Sequence, residues 1–168
     1  MGMEIELQTA GERKLLIPWD LSEWIERTVL RAWVDEEVGS MDWSNPELIE
    51  FLRANPNYRP REVLTLLGYA YATGVYESEE ISRLCVADKI MREICAGHFP
   101  STRALERFRR DNRGLLKWVL AQILKRAFRA HYNLQSGLLA AGLKHHLVQL
   151  AVERLDLARH MDRATQGA

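Results

Sequence analysis

The sequence predicts a mostly α-helical fold, a compact multi-helix bundle containing a helix-turn-helix-like unit. Three observations carry that expectation. After Pro18 the apolar residues recur three and four positions apart, the period of a helix with one buried face. Helix starts (Ser, Asp or Asn, at places followed by Pro) and helix stops (Gly, Asn-Pro) punctuate the chain at short intervals. No repeat, low-complexity tract or Pro/Gly-rich linker intervenes, and short connections favour antiparallel neighbours. The 168 residues are 47% apolar and 27% charged, ordinary values for a globular chain with one well-buried core.

Three segments are expected: a leader or short β-hairpin over 1–17, a helical domain over 18–134, and a C-terminal amphipathic helix over 135–168. In the first, Met3, Ile5 and Leu7 alternate with Glu4 and Glu6 before a turn-like Thr9–Glu12. Asp20 or Ser22 then caps a helix to about Glu37, with Trp24, Ile25, Thr28, Val29 and Trp33 expected inward. Asn45-Pro46-Glu47 opens a second helix, stopped at Asn55-Pro56. Pro60 opens a third, carrying Val63, Leu64, Leu67 and Tyr71 and closed by Gly74. Ser78 is the expected cap of a fourth, with Glu79 and Glu80 in its first turn. Asp88 caps a short fifth helix ending at Gly97, and Ser101 caps a sixth. From Gly114 a longer helix carries Leu116, Val119, Leu120, Ile123, Leu124 and Ala127. Asn133–Gly137 breaks the chain. A last helix, with Leu139, Leu143, Leu147, Leu150 and Leu157, is expected to leave the globule near Gln135-Ser136-Gly137 and pack on a partner, giving a homodimer.

The cysteines, Cys85 and Cys95, match no zinc spacing and read as buried reduced thiols, as in a cytoplasmic protein. No apolar run is long enough to span a membrane, and the N-terminus has no secretory pattern.

Charge is the informative property. Net charge is zero, yet residues 1–56 hold twelve acids against five bases, and residues 101–131 hold nine bases against two acids. The basic island begins on the sixth helix. Arg103, Arg107 and Arg110 fall at i, i+4 and i+7, one stripe, with Ala104, Leu105 and Phe108 expected on the far side. Arginine forks pair bidentately with phosphate oxygens or with the guanine edge. Ser101 and Thr102 place hydroxyls and free N–H groups at the helix start, a phosphate anchor. Arg109 and Arg113 are expected to add flanking charge. The three short helices near 78–87, 88–96 and 101–111 suggest a helix-turn-helix whose last helix enters the major groove of duplex DNA.

These residues also resemble a known family. Ile17-Pro18-Trp19-Asp20-Leu21, Tyr58-Arg59-Pro60, Leu64, Leu67, Tyr69-Ala70-Tyr71-Ala72-Thr73-Gly74-Val75, Ser78-Glu79-Glu80-Ile81, Cys85, Asp88, Pro100, Phe108-Arg109-Arg110 and Asn112 follow in the order seen in the N-terminal helical domain of DDE-type insertion-sequence transposases. The resemblance runs over roughly residues 16–125. It departs at Ser101, where the family has Asp, at Ala104, where it has Thr, and at Glu79 and Glu80, which replace basic residues. It implies DNA binding, with the inverted-repeat ends of a mobile element as the target. Family members continue into a catalytic domain whose three carboxylates hold two metal ions. After Arg129 this chain has only Glu153, Asp156 and Asp162, within one helical stretch, with Asp156 and Arg159 spaced to pair. A non-catalytic protein with no cofactor is therefore expected.

Other constellations read as structural. His131, His145, His146 and His160 lack the spacing of a metal site. Trp19, Trp24, Trp33 and Trp43 lie in the acidic third and read as packing residues rather than base-stacking platforms. The competing functional expectation is a helical protein–protein interaction or oligomerisation module in which the acidic third covers the basic segment.

Overall fold

The computed structural model describes residues 17–44, 46–54, 59–134 and 141–166. A short segment, Ile17–Asp20, leads into one 3-10 turn, Leu21–Glu23. The helices are α1 (Arg27–Gly39), α2 (Pro46–Ala54), α3 (Pro60–Ala72), α4 (Ser78–Ala87), α5 (Lys89–Cys95), α6 (Thr102–Asp111), α7 (Arg113–His131) and α8 (Ala141–Gln166). Among the described residues there is no strand, only an isolated bridge between Asp20 and Thr73. The expected hairpin over 1–17 and the seam at Gln135-Ser136-Gly137 fall almost wholly outside the described residues, as do Asn45, Asn55-Pro56, Tyr58 and Leu139.

Helix α3 is the axis of the bundle. Every residue from Leu64 to Ala72 is buried, the pattern of a helix enclosed on all sides. It packs against α1, α5 and α7. Gly68 makes the approach possible: a Cβ there would meet Val34 Cγ1 and Val119 Cγ1, each at 3.1 Å. Gly74 follows with φ +79°, and a Cβ on it would meet that of Asp20 at 3.2 Å. The chain therefore turns out of α3 directly beneath the entry segment.

The face expected inward on the first helix is corrected. Asp20 accepts from Ser22 N–H at 2.9 Å and caps only the 3-10 turn. The helical phase restarts at Arg27, so Leu30, Val34 and Val38 are buried while Thr28 and Val29 face outward. Ile25 and Trp33 are partly buried against the core.

Ser78 is not the cap of α4. Glu77 holds the cap position without a side-chain bond, and Ser78 is the first helical residue, its hydroxyl turned elsewhere. Asp88 does cap α5, accepting from Met91 N–H at 2.9 Å. Cys85 and Cys95 are both buried and unbridged.

The final helix does not leave the globule. Leu143, Leu147, Leu150, Ala151, Leu155 and Ala158 are buried, and α8 packs along α7. The apolar side expected to seek a partner, and with it the basis for a homodimer through this helix, is covered by the chain's own α7. No helix among the described residues is long and apolar enough to cross a membrane.

Candidate nucleic-acid interface

Helix α6 is positioned from both ends. Ser82 Oγ donates to the Pro100 carbonyl at 3.0 Å, holding the preceding turn on α4. Ser101 Oγ then accepts from Ala104 N–H at 3.2 Å, the N-cap bond the sequence calls for. Leu105 and Phe108 are buried and seat the helix on the core. Arg103, Arg107 and Arg110 are exposed on the opposite side. Arg110 has a solvent-exposed bond to Asp111 at 3.3 Å. Arg103 and Arg107 have no carboxylate partner among the described residues. Thr102 is half-buried and Ser101 exposed at the helix start. Ala104, expected inward, is exposed, because its position lies beyond the arc covered by Leu105 and Phe108.

Arg109 overturns the expectation of flanking charge. It stands four residues after Leu105, so it shares the buried side, and only 8% of it is exposed. Its guanidinium is ion-paired with Asp162 near the end of α8. Asp162 also accepts from Ser78 N–H at 2.8 Å and from Ser78 Oγ at 2.7 Å. Arg109 Nη1 donates to Ser78 Oγ at 3.3 Å. One buried carboxylate thus ties α4, α6 and α8 together. Burial is the largest single influence and opposes the charge on Arg109, but Asp162 and Tyr71 together outweigh it and raise the guanidinium pKa. The Tyr71 hydroxyl is buried beside this cluster, close to the Arg109 charge, and burial pushes its pKa well up.

Arg113 is half-exposed and bonded to Asp156 at 2.6 Å. Asp156 also meets Arg159 at 3.6 Å, the pairing their spacing suggests. Three acids of the N-terminal third, Asp35, Glu36 and Glu37, pair with other arginines. Arg31 bonds Asp35 at 2.9 Å and Glu93 at 3.3 Å. Arg126 bonds Glu36 at 2.7 Å and Glu37 at 3.4 Å while lying over Trp33. None of these reaches the outer side of α6.

A second buried arginine contrasts with Arg109. Arg154 is 2% exposed and has no carboxylate partner among the described residues. It donates to the Pro18 carbonyl at 2.9 Å and the Leu150 carbonyl at 3.4 Å, lies over Trp19, and leaves Nε unbonded. Here burial prevails and its pKa is lowered.

The tryptophans divide sharply. Trp24 stacks on His131 with ring centroids 3.7 Å apart. Trp19, Trp33 and Trp43 lie under Arg154, Arg126 and Arg61. Trp118 on α7 is 38% exposed and has no ring or cation partner among the described residues. Sequence reasoning missed it. The signal was available: Leu116, Val119, Leu120 and Ile123 fill the core face of α7, which turns Leu115 and Trp118 outward at i, i+3. Among the described residues no group of three His, Cys, Asp or Glu side chains is placed to hold a metal ion. Compared with known proteins, the chain matches no family model, no curated protein and no solved structure.

Proposed function

We propose that this chain is a non-catalytic DNA-binding protein, akin to the N-terminal domain of an insertion-sequence transposase, that holds duplex DNA against the outer side of α6. The observation that carries the reading is the exposed stripe of Arg103, Arg107 and Arg110, two of whose guanidiniums have no carboxylate partner among the described residues. Two unneutralised cations on a rigid helix are what a polyanionic backbone requires, and the guanidinium fork suits both phosphate and guanine. The N–H groups behind Ser101 and Thr102 add a phosphate anchor at the positive end of the helix dipole.

Arg113 contributes charge shared with Asp156. Arg109 leaves the contact set and acts as a positioning residue, fixing how α6 sits on the core. The reading helix is α6, preceded by α4 and α5 as in a helix-turn-helix-like unit, although the connection over 96–101 is longer than the tight turn of that motif. The interaction-module reading is less favoured because three acids of the N-terminal third are already paired, Asp35 with Arg31 and Glu36 and Glu37 with Arg126.

The test is a fluorescence-anisotropy titration of a labelled duplex at low salt. The wild type should bind. Replacing Arg103 and Arg107 together with Ala should weaken binding about tenfold or more while leaving the melting curve in place. Absent binding, or equal affinity of the double variant, contradicts the proposal.

A further inference from the structure

We infer that Trp118, backed by Leu115, is a stacking platform for an unpaired base, so that the corner between α6 and α7 takes single-stranded DNA where it leaves a duplex. The inference rests on the DNA reading above and names the form of nucleic acid that the site takes. Of the five tryptophans, four have their rings engaged by histidine or arginine. Trp118 alone has no such partner among the described residues, and it is exposed together with Leu115, itself 39% exposed, one turn away. Both follow directly on the arginine helix: a single residue, Asn112, separates α6 from α7. Exposed Arg107 and Arg110 precede Leu115 in the chain, and exposed Lys117 lies between Leu115 and Trp118.

An exposed aromatic ring with exposed cations close to it in the chain is the combination that binds single strands: the cations hold the backbone and the ring takes a base. In an intact duplex the base faces are covered by their neighbours. An indole therefore meets a bare face only at an end or an unpaired stretch. A lipid surface fits less well, since only two large apolar side chains, Leu115 and Trp118, are exposed on α7, less than an interfacial helix face buries.

The test compares, with the full chain, a blunt duplex, the same duplex carrying a few unpaired thymidines at one end, and vesicles of phosphatidylglycerol. The overhang should bind about tenfold tighter than the blunt end and quench tryptophan emission. Trp118→Ala should abolish both the preference and the quenching, with blunt-duplex affinity within about twofold of wild type. Trp118→Phe should retain part of the preference. Equal affinity for the two DNAs, or quenching that survives Trp118→Ala, overturns the inference and leaves duplex binding standing. Failure to bind either DNA removes both. Binding to vesicles but not to the overhang assigns the patch to lipid and overturns it as well.

Discussion

The two sides of helix α6 present the same residue type in opposite circumstances. Arg103, Arg107 and Arg110 stand in solvent, while Arg109 is closed inside the bundle on Asp162. Four arginines within eight residues look like one basic patch in the sequence. The helix period separates them into a surface that is free to meet a polyanion and a buried ion pair that fixes where that surface points. A charge count over a segment therefore overstates the interface by the members whose position falls on the apolar arc.

The largest expected effect lies on the inner side. Asp162→Ala strands a buried guanidinium and should cost about 3–5 kcal/mol in urea unfolding. Replacing Asp162 with Leu and Arg109 with Met together should cost much less than the two single changes summed, because the pair is removed rather than broken. Full additivity would show that Arg109 and Asp162 are not coupled.

Alkaline pH probes the same interior. Burial raises Tyr71 and pushes Tyr69 and Tyr76 up to about 12. A native phenol with a raised pKa keeps its proton after the unfolded chain has lost it, so the unfolded state binds fewer protons. Stability should be full below about pH 10 and fall as pH climbs toward 12, by about 2 kcal/mol for each tyrosine held two units high. A flat stability profile through that window contradicts the burial of these phenols.

Arg154→Met is the next smaller effect. Among the described residues Arg154 is bonded to carbonyls and to no carboxylate, so the cost should be about 1–2 kcal/mol, clearly below that of Asp162→Ala. On the outer side, Arg103→Ala and Arg107→Ala should each change unfolding free energy by less than about 0.5 kcal/mol. A larger loss would place these side chains in the fold's own stabilisation and weaken the contrast.

Much of the scaffold was legible because local chemistry and tertiary packing agree. Pro60, Asp88 and Ser101 sit where a helix must begin, and the outward stripe of α6 follows from its period. The inward turn of Arg109 was present in the same period, but arginine is so seldom buried that its side of the helix was overlooked. Its partner, Asp162, lies 53 residues away on α8, and no local pattern connects them. The phase of α1 was missed for another reason: Asp20 caps a 3-10 turn, and the apolar period restarts three residues after Trp24. Trp118 escaped notice because the reading of α7 followed its inward residues, Leu116, Val119, Leu120 and Ile123, and did not ask what lay on the other side. The same period that buries those four turns Leu115 and Trp118 outward.

The central claim is that the outer arginines meet phosphate. Its most direct test is the salt dependence of duplex affinity, wild type against the Arg103→Ala, Arg107→Ala double variant. The account predicts a wild-type log–log slope of about −3 to −5, shallower by about 2 in the double variant as two phosphate contacts are lost. A slope near zero, or the same slope in both proteins, would contradict it.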